Sequence, residues 1–469
     1  MINSRLAYTA RQGEQGSTLV IVLWIAIGLV SLTLYFAQSM LSEVRASDHR
    51  VEGLAAEQAV EGGLRYAMAL LGNQLTNGYS PDPGSYLCEA VAIDEKNARQ
   101  EAGARFWFIG RDTNSTSPSK LVSFGLVDEG SKINLNAARS NVLYYLTDWD
   151  IDVTEAILDW RNTNGPGTTI AWYGMQVPSY ECKQAPFETV EELRLVLGIT
   201  PEWFGGEDLN RNGVLDPNET DEDRDGLATS GLLDLVTVYS REPNTYNNGT
   251  PRVNIRLLTS ASQDFSLLLQ ESISATRANI ILQQLGLSGG GGGGQQTFNS
   301  PLELYRRGGF TLEEFAEIAD KITTVEGEFV EGRINVNTAP ARVLSCLPGL
   351  AESPDLVDLL VNYRLTNPTR LSSIAWIVEA LGQSNQEAIS QLERRDMFTT
   401  RSYQFSADIA ATGAYGRGYR RTRFVIDTAL GSPRVVYRQD LTHLGWALGK
   451  ETRDLLVPSN SKNGSIAFN

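Results

Sequence analysis

Histidine is close to absent from this sequence: His49 and His443 are the two found in 469 residues. Their scarcity excludes a histidine-rich metal centre and leaves no evident Ser-His-Asp triad. Cysteine is nearly as rare, with Cys88, Cys182 and Cys346. In an oxidising compartment one pair could bridge, leaving the third over, and the pairing is open. Cys346, inside the apolar run VLSCLPGL, reads as a buried free thiol. Positive charge is short as well. The 40 Lys and Arg stand against 56 Asp and Glu, a net charge of −16, which works against nucleic acid or anionic lipid as partners because both need concentrated cations. GLSGG at 286–290 matches a nucleophile-elbow pattern, but it lies in a glycine tract rather than at a strand-to-helix turn and reads as coincidence. The sequence points away from an enzyme.

What it does contain is one long apolar run. Residues 13–38 read GEQGSTLVIVLWIAIGLVSLTLYFAQ, and no side chain from Ser17 to Ser42 is charged. At about 1.5 Å per residue, Leu19 to Ala37 approaches the ~30 Å hydrocarbon layer of a bilayer. A secretory signal would be shorter and would carry its small-residue cleavage site after the apolar region. Here Gly16 comes before it. Arg5 and Arg11 outweigh Glu14 in the leader, so that end is expected to stay cytoplasmic while the rest is exported. Beyond the span, Leu41, Val44, Val51, Leu54, Ala55, Ala59, Leu64, Ala67 and Leu71 recur mostly at spacings of three and four. This pattern predicts that the helix continues with one buried stripe.

The exported part carries an internal repeat. INLNAARSNVL at 133–143 and INVNTAPARVL at 334–344 keep the same spacing of paired asparagines and Val-Leu. Each is followed by an aromatic-Arg pair, Trp160-Arg161 and Tyr363-Arg364, and by a segment read as a twelve-residue helix, 187–198 and 371–382. Thr189 and Glu192 have capping-box spacing, and Gly198 and Gly382 stand where helices stop. A weaker third echo starts at Val253. Period-two alternation flanks these modules, in 104–112, 121–128 and from Tyr403 onward, where a half-buried strand is expected, followed by RRTRFVIDTAL and RVVYRQDL. Strands on either side of helical modules predict an α+β fold, with a helical domain inserted into one antiparallel sheet.

Between the modules lies DLNRNGVLDPNE, residues 208–219. A calcium loop of the EF-hand type needs oxygens at positions one, three and five, glycine at six, a carbonyl at seven and a bidentate glutamate at twelve. Asp208, Asn210, Asn212, Gly213, Val214 and Glu219 meet these demands, and Asp216 fits position nine. DEDRDG behind it adds Asp221, Asp223 and Asp225, although Leu232 at its twelfth position cannot ligate. Oxygen-only ligands favour calcium, in a structural role ordering residues 205–230.

INVNTAPARVLSCLPGL also resembles the helix-hairpin-helix segments of competence DNA receptors, with Leu347-Pro348-Gly349 as the hairpin. That makes a membrane-anchored DNA-binding protein the alternative reading. The sign of charge opposes it: the first module places three aspartates at the equivalent position, in YLTDWDID. The tract around Arg417, Arg420, Arg421 and Arg423 is the best remaining phosphate candidate, though such a run more often forms a solvated face.

The Gly16-Ser17 junction, followed at once by an apolar helix, resembles the processing signal of type IV pilin-like proteins. With the repeated IN[LV]N modules inserted in a sheet, nearly the whole chain resembles the K-type minor pseudopilins (GspK) of type II secretion systems. The resemblance implies a leader at 1–16, cut after Gly16 by a prepilin peptidase that methylates Ser17, then a transmembrane and stalk helix at 17–75. It implies a pilin-like sheet from 76–128 and 396–450, an insertion at 129–395 with helix-hairpin-helix-like, SAM-like modules at 129–198 and 330–382, and a tail at 451–469. The chain would sit in the inner membrane with its bulk in the periplasm. Implied partners are the I- and J-type minor pseudopilins, the major pseudopilin, the inner-membrane assembly platform, and at the tip the secretin or secreted cargo. Most pilin-like proteins carry Glu at the fifth mature position, pairing with the neighbour's amino terminus. Ile21 stands there, as the resemblance implies for a subunit with nothing ahead of it.

Overall fold

A computed structural model describes residues 15–76, 91–92, 103–111, 121–163, 167–246, 249–288 and 294–456. Most of the leader, Cys88, five of the six tract glycines and the end of the tail fall outside these residues, as does the side chain of Ser17. Helix α1 runs from Gln15 to Thr76, 62 residues, or roughly 90 Å at the α-helical rise. It includes a stretch long and apolar enough to cross a membrane, with mean hydropathy 2.5.

The buried stripe of α1 differs from the expected one. Leu41, Val44, Val51 and Leu54 are exposed; the helix meets the hairpin of the sheet at Glu52 and packs on it through Ala56, Ala59, Val60, Gly63, Ala67 and Leu71. Small side chains serve here because the helix axis comes close to the strands. A Cβ on Gly63 would lie 2.9 Å from the Phe106 ring and 3.0 Å from Ile409.

The sheet combines β1 (Val91–Ala92), β2 (Arg105–Phe108), β3 (Val127–Asp128), β4 (Gln404–Thr412), β5 (Arg420–Asp427) and β6 (Arg434–Asp440). All pairs are antiparallel in the order β1-β2-β4-β5-β6, and β3 adds to the free part of β4 with Asp128 opposite Phe405. Phe106, Phe108, Phe405, Ala407, Ile409, Phe424 and Ile426 face α1. β4 is not half-buried as the alternation suggested: all nine of its residues are buried. Its polar face is covered by the insertion, and three of the polar side chains there are hydrogen-bonded, while the Thr412 hydroxyl is buried without a partner. Gln404 bonds Arg241 N and Asp427, Ser406 bonds Glu129, and Asp408 holds Arg421. Trp107, Ile109 and Ala410 on the same face pack beneath Ala447 and Leu448.

The insertion holds three copies of one module. Each opens and closes on a two-residue parallel ladder: Ile133–Asn134 with Val236–Thr237, Val253–Asn254 with Ile322–Thr323, and Ile334–Asn335 with Phe398–Thr399. In each ladder the asparagine Oδ1 accepts the N–H two residues on, at 2.8–3.0 Å. The facing threonine Oγ1 does likewise, at 3.1–3.2 Å. The weak third echo is therefore a structural copy. In the first and last copies, the second asparagine, Asn136 or Asn337, donates to Phe187 O or Leu371 O. Arg161 donates to Leu135 O and Ala138 O, and Arg364 to Val336 O and Ala339 O. The segments after these arginines are shorter than predicted. A 3₁₀ turn spans Val190–Leu195, with the Thr189–Glu192 capping box formed, and a helix spans Trp376–Leu381, capped by Gly382.

Candidate metal loops at the joint of insertion and sheet

The acidic segment is tied off at its base. A short helix, Pro201–Gly205, ends at Gly206, which bridges to Ser230. Glu207 N bonds Thr229 O at 3.1 Å. A Cβ on Gly206 would sit 2.1 Å from Thr229 O, so the two ends of the loop approach more closely than a side chain allows.

Two consecutive turns inside it share one backbone path. Arg211 and Arg224 have φ of 59° and 63°, and Gly213 and Gly226 have φ of 85° and 73°. Asp208 Oδ2 accepts Gly213 N at 2.6 Å, and Asp221 Oδ2 accepts Gly226 N at 3.1 Å. Asn212 Oδ1 accepts Val214 N, and Asp225 Oδ1 accepts Leu227 N. The sequence pair DLNRNG and DEDRDG is thus a tandem repeat of one local fold, held by side chains that satisfy the turn's own N–H groups.

In the first loop Asp208, Asn210, Asn212 and Val214 are buried. Glu219 folds back over it, accepting Asn210 N at 3.1 Å and Asp216 N at 2.8 Å. Both asparagine amides donate to Asp216 Oδ2. Burial pushes the Asp208 and Glu219 carboxyls up, and neighbouring carboxylates add to both. Asn210 Oδ1 is buried without a hydrogen-bond partner, as is Asp221 Oδ1 in the second loop. Orphaned buried oxygens in an all-oxygen donor set fit a hard cation. In the second loop, carboxylate oxygens of Asp221, Asp223 and Glu207 lie within 4.8 Å of one another. Glu207, which precedes the first loop, supplies the third carboxylate of this cluster. Sequence spacing gave no sign of it, because the bridged base of the loop brings it there. Its carboxylate also accepts Glu222 N and Thr229 N. Asp225 is exposed and its Oδ1 is committed to the turn.

The first loop docks on the sheet through its carbonyls. Arg421, fully buried, grips Asp408 and donates to Asn210 O and Arg211 O. Arg111 donates to Arg211 O at 3.2 Å and pairs with Asp234 at 3.0 Å. Arg423 pairs with Glu129 at 3.1 Å. The basic tract is therefore neither a solvated face nor a phosphate site at Arg421 and Arg423: both cations are internal and neutralised. The amides that follow the Leu347-Pro348-Gly349 hairpin are likewise taken. Leu350 N and Ala351 N both bond Leu347 O, and Gly349 packs against the backbone of Ala388.

Cys182 and Cys346 are free and buried. Burial pushes the Cys346 thiol up to about 12, and Cys182 upward as well. Neither is a reactive group.

No protein-family model matches the sequence, and no curated protein does. Among solved structures, a chain of the crystal structure of the GspK-GspI-GspJ complex from the enterotoxigenic Escherichia coli type 2 secretion system is similar over 85% of this chain and 99% of that chain, at 10% identity and a TM-score of 0.37.

Proposed function

We propose that this chain is a minor pseudopilin of the K type, standing at the tip of a type II secretion pseudopilus. There it nucleates assembly with I- and J-type minor pseudopilins for protein secretion across the outer membrane. One observation carries the reading: an exposed apolar helix continues unbroken into an antiparallel sheet, and that sheet is interrupted by a large helical body. The apolar segment suits both membrane anchorage and packing among other such helices, and the helical body is too bulky to stack within a regular shaft. Ile21 supports the tip position, since a subunit without a carboxylate there has nothing with which to pair an ammonium ahead of it in an apolar setting. The prepilin peptidase, the inner-membrane assembly platform and the major pseudopilin are the partners this role requires, and secretin or cargo is what a tip would meet. The test is the intact mass and amino-terminal sequence of the membrane-extracted protein, made with and without a prepilin peptidase. The expected product begins at N-methylated Ser17 only when the peptidase is present; a Met1 start in both preparations overturns the reading.

Calcium belongs to the same proposal. Asp208, Asn210, Asn212, Val214, Asp216 and Glu219 would hold one ion; Glu207, Asp221 and Asp223 would hold a second. Bound calcium would supply the positive charge that the buried carboxylates lack. Calcium at a hundredfold its Kd should stabilise the detergent-solubilised chain by about 2.7 kcal/mol, read as a rise in Tm, and Asp208→Asn should reduce that rise. An unchanged Tm in calcium would sink the idea.

A further inference from the structure

The three copies of the module meet around a cavity of about 570 Å³. Each contributes an arginine to its wall: Arg139 from the first copy, Arg256 from the middle one, and Arg394 and Arg395 from the end of the last. Arg139, Arg256 and Arg394 are exposed and Arg395 is half-buried. None of the four has an ion-pair partner among the described residues, in a protein where acidic side chains outnumber basic ones by 56 to 40. Arg395 Nη1 is buried without a hydrogen-bond partner. Burial, and next the charge of Arg139, push the Arg395 guanidinium down, so the two arginines stand close enough to repel. Two carboxylates also line the cavity. Asp396 is engaged through Oδ2 by Arg333 and Thr324, its buried Oδ1 having no hydrogen-bond partner, and Glu331 is exposed with no ion-pair partner among the described residues.

Four guanidiniums against two carboxylates, none of the four ion-paired among the described residues, make a site for an external oxyanion. Apolar side chains, Val142, Leu347 and Met397, share the same wall. We propose that this cavity is a docking site for an acidic segment of a partner polypeptide, whose carboxylates meet the arginines while an apolar side chain rests on the half-buried Met397. The lining favours peptide over nucleic acid. No aromatic ring lines it on which a base could stack, and its volume is that of a bounded pocket rather than a groove following a phosphate backbone.

The test is fluorescence anisotropy of a labelled peptide of alternating glutamate and leucine, titrated with the full chain in nonionic detergent. A glutamine-leucine peptide serves as control, with inorganic phosphate and a single-stranded oligothymidylate as competitors. Saturable binding of the acidic peptide is expected. Arg139→Ala and Arg256→Ala, both at exposed positions, should each weaken it about tenfold, the loss of one charge-assisted contact. Arg394→Glu is the second variant should an alanine variant fail to fold. Absence of saturable binding, equal binding of the glutamine peptide, or affinity unchanged in the variants would overturn the proposal. Binding of oligothymidylate or free phosphate more tightly than the peptide would also overturn it, in favour of a nucleic-acid or simple anion site.

Discussion

Two arginines separated by some two hundred residues perform one task. Arg161 and Arg364 each reach back to the carbonyls one and four positions after the ladder asparagine, fixing the turn that follows it. Arg364 is buried, so Arg364→Met should leave two carbonyls unpaired and cost about 2–4 kcal/mol, measured by urea unfolding. Arg342, whose pair with Asp148 is exposed, is the contrast: Arg342→Ala should cost under about 1 kcal/mol. The repeated motif was plain in the sequence, but its purpose was not, because asparagines and arginines turned onto backbone carbonyls look the same in a string of letters as residues awaiting a phosphate. The middle copy was fainter still. It has Arg256 where the others have their second asparagine, so only the ladder and its first turn survive. The first calcium-type loop was legible because its geometry is local; Glu207 was not, because a bridge across the loop's base brings it in.

At the scale of elements, the contact between α1 and the hairpin of β4 and β5 is made by missing side chains. Gly413 and Gly418 lie against Glu52, whose carboxylate accepts Ala414 N at 2.6 Å. A Cβ on Gly418 would fall 2.3 Å from the Glu52 backbone carbon, at a φ of +65°. Gly418→Ala should therefore part helix from hairpin and lower stability by about 2 kcal/mol or more. A Cβ on Gly72, in the last stretch of α1, would meet Pro433 no closer than 3.6 Å. Gly72→Ala should instead stabilise, by up to about 1 kcal/mol of helix propensity. Opposite shifts in Tm are the check. The same smallness hid the true stripe of α1 in the sequence: glycine and alanine carry little hydrophobic signal, while the larger Leu41, Val44, Val51 and Leu54 carry much and are exposed. The strands were legible by alternation, but the burial of their polar face depends on an insertion whose folding no local pattern encodes.

For the whole molecule, buried charge at the joint sets the response to acid. Burial alone would raise Glu129 and Glu242, but Lys132 and Arg423 around the first, and Arg333 and Arg252 around the second, hold both at about 2 against an ordinary 4.5. A carboxylate depressed in the folded state contributes stability above its unfolded pKa and loses it as pH falls through the folded one. Stability should accordingly drop between about pH 5 and pH 2. Glu129 bonds Ser406 on the sheet and Thr237 in the insertion, so Glu129→Gln should lower stability at neutral pH and flatten the acid limb of a Tm profile.

The insertion leaves the sheet after β3 and returns at β4, and those two strands are hydrogen-bonded neighbours. Asp128 clasps the two ends, accepting Ser402 Oγ at 2.6 Å and Gly130 N at 2.7 Å. Mechanically, the helical body is thus mounted beside the line of force rather than within it. A pull along α1 is borne by its packing on β2, β4 and β5, and the path that transmits the load passes by the three modules rather than through them.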